Sequence, residues 1–201
     1  MKQSDINRNS YNQIVSDWLA YRNKNVNTCI REFSELLPAG ARVLDIGCGT
    51  GSPIDTYLCE KGFSVFGIDI SEKMIAEAVK HNLPNARFVV KDFMDFQSNK
   101  LFDAVIAFDS IWHIEEERQS EIYEAVSRLL RPGGYFLFTH GREQGTVHGT
   151  MFSHEFVYSA LDGEQVRRLL SEQDLEIVSW QEDYEEATTG TRDLLVVARK
   201  K

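Results

Sequence analysis

Residues Val43 to Pro53 read VLDIGCGTGSP: an apolar run ending in a carboxylate, then three glycines alternating with other residues. Without a Cβ, Gly47, Gly49 and Gly51 let the backbone turn sharply. Helical spacing follows from Pro53 to Lys61, and the unpaired first-turn N–H groups of such a helix point toward whatever the turn holds. Proline suits that first turn. Strand, glycine turn and helix in this order are the nucleotide-holding unit of an open α/β sheet.

The flanking sequence supports this reading. Short apolar runs at Arg42–Ile46, Ser64–Ile68, Arg87–Val90, Phe102–Phe108, Tyr135–Thr139, Glu176–Trp180 and Leu194–Ala198 predict strands. Amphipathic segments at Pro53–Lys61, Glu72–His81, Glu116–Leu130 and Gly163–Glu172 predict the helices between them. Strand and helix alternate as in a Rossmann-like, doubly wound α/β fold with a mostly parallel seven-stranded sheet. No helix fits within QEDYEEATTGTRD, so the last two strands are expected to form a terminal antiparallel hairpin. Ahead of the sheet, Ile14, Val15, Trp18, Leu19 and then Val26, Ile30, Phe33, Leu36 and Leu37 predict two N-terminal helices ending at Pro38 and Gly40.

A chain of 201 residues with no linker, repeat or low-complexity tract predicts a single domain over 1–201. Within it we expect a helical lid over 1–38, a ligand-binding core over 42–139 and a long loop over 140–162 that walls a second binding site. The net charge of −9 opposes a nucleic-acid partner. No segment approaches the roughly 20 apolar residues of a membrane span, and the N-terminus carries no export or import signal, so a cytoplasmic location is expected. Cys29, Cys48 and Cys59 are odd in number and lack zinc spacing, which points to reduced thiols. His140, His148 and His154 match no ligand spacing, and no metal is expected. Nothing in the sequence specifies an oligomeric state.

The loop's own chemistry narrows the ligand. Dinucleotide loops follow G-x-G-x-x-G, but here the pattern is G-x-G-x-G and Ser52 stands where the last glycine would fall. Asp45 ends the strand just before the loop, where a carboxylate repels a pyrophosphate and attracts an ammonium or sulfonium. VLDIGCGTG resembles motif I of class I S-adenosylmethionine-dependent methyltransferases in both the acid and the alternating glycines. The resemblance is specific over about Arg42 to Thr139 and weaker on the flanks. It implies S-adenosylmethionine as cofactor, with its amino-acid tail near Asp45 and its nucleoside across Gly47, Cys48, Gly49 and Gly51. Cys48 also reads as a small residue that simply fits the loop.

The second strand ends in FGIDIS, and Asp69 at its tip can accept two hydrogen bonds from a ribose diol. Capping the next helix is the rival role, which Ser71 already fills. In similar methyltransferases the acid of a segment such as KDFMDF receives the adenine amino group, which implies Asp92, with Phe93 against the ring; Phe93 reads equally as core under a short loop. The resemblance also places Ile70 and Phe108 in the donor pocket, and Tyr11, from YNQIVSDWLAYR, over the donor's methionine end, with ordinary core or surface packing as the rival role for Tyr11. His113, after the fourth strand, reads as a general base, as a group orienting the acceptor, or as an ordinary histidine near a helix start. Trp112 reads as packing. The activity implied is methyl transfer to a small-molecule acceptor by in-line displacement; a non-catalytic S-adenosylmethionine-binding protein and a nucleotide-dependent oxidoreductase are the alternatives.

Overall fold

In a computed structural model that describes residues 2–22, 24–186 and 190–201, helices α1 (Gln3–Tyr21) and α2 (Thr28–Ser34) precede the first strand. The order then runs β1 (Arg42–Ile46), α3 (Ile54–Glu60), β2 (Ser64–Asp69), α4 (Glu72–Lys80), β3 (Ala86–Val90), β4 (Phe102–Ala107), α5 (Glu121–Leu129) and β5 (Leu130–His140). A separate hairpin, β6 (Gly145–Met151) and β7 (His154–Ala160), leads to α6 (Gly163–Glu172), β8 (Leu175–Glu186) and β9 (Gly190–Lys200). The main sheet has seven strands in the order β3-β2-β1-β4-β5-β9-β8. Its first five are parallel, and β9 pairs antiparallel with both β5 and β8. This is the doubly wound sheet with the terminal hairpin that the sequence predicts.

Helices cover both faces of the sheet because alternate strand residues are apolar on both sides. Val43, Ile106 and Leu137 pack with Ile30, Phe33 and Leu58 of α2 and α3. Their neighbours Leu44, Val105, Phe136 and Phe138 pack with Tyr123 and Val126 of α5 and Val166 and Leu170 of α6. Every residue of β4 is buried, as befits a central parallel strand. Asp103 joins three strands near their starts: its carboxylate accepts from the Arg42 amide at 2.8 Å and pairs with Arg131 at 2.8 Å.

Local signals account for most boundaries. Ser71 accepts from the Met74 amide and caps α4, and Asp162 forms a reciprocal capping box with Gln165 at the start of α6. Several predicted bounds shift. Pro53 is the residue before α3 rather than its first turn. The predicted helix Glu116–Leu130 divides into a short 3-10 turn, Glu116–Arg118, and α5. The strand predicted at Tyr135–Thr139 starts at Leu130, and that at Glu176–Trp180 extends to Glu186. Most consequentially, the connection over 140–162 contains a paired hairpin in place of a long loop.

Phe138 is fully buried and stacks on Phe136 with centroids 4.5 Å apart. Truncating it with Phe138→Ala is expected to cost about 3–5 kcal/mol of unfolding free energy in a urea titration.

Candidate functional site

The strand order reverses between β1 and β4, so their following loops part and leave a crevice at the carboxyl ends. A cavity of about 680 Å³ occupies it, a size suited to a small molecule. Asp45, Ile46 and the glycine loop form its floor, Asp69 and Ile70 one wall, and Phe108 to Glu115 the opposite wall. Tyr11, Trp18 and Arg22 of α1 and its end close the top, with Met151 and Tyr158 from the hairpin.

Close approach fixes the loop. Gly47 and Cys48 both donate their amides to the Ile68 carbonyl, at 2.8 and 3.0 Å, which ties the turn to the end of β2. Gly47 has φ +75°, and a Cβ there would sit 2.3 Å from the Cβ of Ser110, in the turn after β4. The Ser110 side chain therefore packs directly on the Gly47 backbone and joins the two turns.

Asp69 is held by two backbone donors, Gly49 N–H at 3.0 Å on Oδ2 and Ser71 N–H at 2.8 Å on Oδ1. Each oxygen keeps a further lone pair. Burial pushes this carboxyl up to about 6, against the pull of those two bonds and Arg22. Asp45 is raised to about 6 for the same first reason, opposed by its hydrogen bond with Asp55 and by Arg22. Asp92 spends one oxygen on the Met94 amide, 2.9 Å away.

Tyr11 and His113 meet. The His113 Nδ1 lies 3.1 Å from the Val157 carbonyl of β7, and its Nε2 lies 2.9 Å from the Tyr11 hydroxyl. A carbonyl only accepts, so Nδ1 carries the proton, Nε2 accepts and Tyr11 donates. Burial lowers His113 to about 4 and lifts Tyr11 well above the usual phenol, with Tyr158, Asp69 and Asp109 adding to the latter. Both groups are neutral near pH 7, and the basic nitrogen of His113 already has a partner.

The expected residues Tyr11, Asp45, Gly47, Cys48, Gly49, Asp69, Ile70, Asp92, Phe93, Phe108 and His113 all line this one cavity. Gly51 does not; a Cβ on it would meet Phe88 at 3.0 Å and Ala78 at 3.2 Å, so it serves loop packing against β3 and α4. The three histidines weighed for a metal serve separate contacts. His140 is buried with Nε2 3.2 Å from Gln119 Oε1, His148 pairs with Glu155 at 2.8 Å, and His154 begins β7. Among the described residues no His, Cys, Asp or Glu group has metal-binding geometry.

Sequence reasoning missed three charged residues. Arg22 follows α1, its guanidinium 5.2 Å from the Trp18 ring, and a Cβ on Gly49 would lie 3.5 Å from its Nη1. Asp109, at φ +56°, accepts from Arg192 Nε at 2.6 Å and Thr139 Oγ1 at 3.1 Å. No periodicity marks these residues; only the position of Asp109, directly after an apolar strand, offered a signal.

Residues 43–134 match the family described as a methyltransferase domain. The ubiquinone biosynthesis O-methyltransferase of Dechloromonas aromatica is 33% identical over 131 residues, which is 61% of this chain and 54% of the relative. The chain spans about half the length, or less, of the curated relatives it matches. Magnesium protoporphyrin IX methyltransferase from Synechocystis PCC 6803, solved with bound SAM, superposes with a TM-score of 0.74 at 19% identity, covering 100% of this chain and 98% of that one. A TehB-like SAM-dependent methyltransferase from Corynebacterium glutamicum gives 0.67 at 25% identity, covering 96% and 98%.

Gly47→Ala is expected to destabilise the fold by about 1–3 kcal/mol through both φ and the Ser110 contact. Adding Ser110→Gly removes the contact but not the backbone strain, so chemical unfolding of the double variant is expected to recover only part of the loss.

Proposed function

We propose that the chain is a class I S-adenosylmethionine-dependent methyltransferase, a reading that the methyltransferase-domain match over residues 43–134 supports, and that its cavity brings the methyl donor against a small-molecule acceptor held beneath α1 and the β6–β7 hairpin. The observation that carries this reading is the pairing of charges on the cavity wall. Asp45 and Arg22 offer opposite signs to the space, as an α-amino acid zwitterion requires, while Asp69 on the adjoining wall offers two lone pairs to a diol. Gly47 lets the Ser110 side chain pack directly on the loop backbone, which holds the turn after β4 against the glycine loop. Buried polar atoms without a partner among the described residues, Trp18 Nε1, Ser110 Oγ and Trp112 Nε1, belong to residues around the same cavity.

Bound there, the donor supplies an electrophilic methyl on a sulfonium sulfur. The chain's own contribution is to orient the acceptor and keep water out. Tyr11 gives its proton to His113 and so has only lone pairs left for the cavity; it accepts from an O–H or N–H of the acceptor and turns that atom toward the donor. His113, low in basicity and already bonded on both nitrogens, acts through Tyr11 rather than as a base on the acceptor. Trp112 and Tyr158 bound the acceptor side.

Calorimetric titration of the purified chain with S-adenosylmethionine is expected to show one binding site per chain, and an absence of binding would end the proposal. Asp69→Ala is expected to weaken that binding at least about tenfold, through loss of charged hydrogen bonds. In an acceptor-library screen read by S-adenosylhomocysteine release, Tyr11→Phe is expected to slow turnover about tenfold or more while leaving donor affinity within about threefold.

A further inference from the structure

Two carboxyl groups lie under the glycine loop, and the function proposed above uses only one of them. Asp45, on β1, faces the cavity. Asp55, in the first turn of α3, is outside the cavity lining and has no exposed surface. No N–H or hydroxyl donor reaches either Asp55 oxygen among the described residues. Its carboxyl instead lies within hydrogen-bond reach of the Asp45 carboxyl. Two ionised carboxylates have acceptors and no donor between them, so a bond at this contact requires a proton.

The surroundings set how many protons fit. Arg22 faces the pair from the end of α1, Asp69 from the end of β2, and the Cys48 thiol from the loop between. With all three carboxyls ionised, one guanidinium would stand against three negative charges in a desolvated space.

We infer that Asp55 is a positioning residue that keeps its proton and donates it to Asp45, so that the pair holds one negative charge, aimed at the ammonium of the methyl donor. The inference rests on the donor reading of the cavity. Enclosure places the proton: Asp55 is wholly buried with no donor to its oxygens among the described residues, whereas Asp45 faces the cavity and carries the charge. Burial acts in the same direction, raising both carboxyls, Asp45 to about 6. The sign of the pH dependence follows. An ammonium beside Asp45 favours its ionised form, so donor affinity is complete above about pH 6 and is lost as the pH falls and Asp45 takes up its own proton.

The test is calorimetric titration with S-adenosylhomocysteine, which keeps the ammonium and cannot react, between about pH 5 and 8 on wild type, Asp55→Asn and Asp55→Ala. Wild-type affinity is expected to be flat above about pH 6 and to fall at least about tenfold per pH unit well below it, Asp69 titrating in the same range. The Asp55→Asn carboxamide still donates to Asp45 and is expected to bind within about threefold of wild type. Asp55→Ala removes the donor, and near neutral pH it is expected to weaken binding by about tenfold and move the fall to higher pH. Infrared spectra of the ligand-free protein near neutral pH are expected to show a protonated carboxyl band that Asp55→Asn abolishes, a readout that stands even if Asp55→Ala does not fold. Equal weakening by Asp55→Asn and Asp55→Ala, or absence of the band, overturns the inference. A wild type that shows the band but binds no S-adenosylhomocysteine overturns the donor reading and Asp55's positioning role, while the shared proton itself stands.

Discussion

The site depends on one steric fact, the passage of the Gly47 backbone against Ser110 with no room for a Cβ between them. That contact brings the turn after β1 to the turn after β4, where the sheet's winding reverses. The amides of Gly47 and Cys48 then bind the same turn to β2 through the Ile68 carbonyl. Three strand ends are thereby locked side by side, and the carboxylates of Asp45 and Asp69 have fixed positions in the cavity lining. Asp109, held at positive φ on the far side, is kept there by Arg192 and Thr139. Strain of this kind persists where surrounding bonds over-determine the backbone.

Charge then gives the crevice its preference. Asp45 and Asp69 line it, Asp55 lies buried behind Asp45, and Arg22 stands by them as counterweight. Asp109 and Arg192 satisfy each other, so the opposite wall adds little net charge. A desolvated space with excess negative charge attracts a cation far more strongly than the same charges in water would. The overall net charge of −9 acts in the same sense at long range.

The sheet was legible because its residues obey two periods at once: Val43 and Leu44 face opposite layers, as do Val105 and Ile106, and the segments between them carry helical spacing. Asp45, the glycines and Asp69 were legible because close approach and charge restrict the residue types their positions accept. The hairpin was not. Its turn uses Phe152 and Ser153 at φ +51° and +65°, where glycine or asparagine would have given the usual signal. The full length of α1 was hidden too, because Asn7 and Ser10 interrupt its apolar stripe while being buried. Those two residues dock the helix on β7: Asn7 exchanges hydrogen bonds with both backbone groups of Val157 at 2.9 Å, and Ser10 donates to the Glu155 carbonyl. Helix and hairpin specify each other over some 150 residues of separation, a relation that local patterns do not carry.

The same docking fixes the direction of the protons at the acceptor side. Val157 takes Asn7 from α1 and His113 from the turn after β4 on one carbonyl, so the imidazole must present N–H to it and a lone pair to Tyr11. Tyr11 stands on the helix that Asn7 anchors, and its hydroxyl is therefore turned away from the cavity as a donor and toward it as an acceptor. The Nε2–H tautomer would place a lone pair of Nδ1 against the Val157 carbonyl oxygen, an unpaired buried contact costing about 1–3 kcal/mol. The polarity of the proposed acceptor contact is thus set by a backbone carbonyl of β7, and an acceptor that offers a hydrogen to Tyr11 fits where one that offers only lone pairs does not.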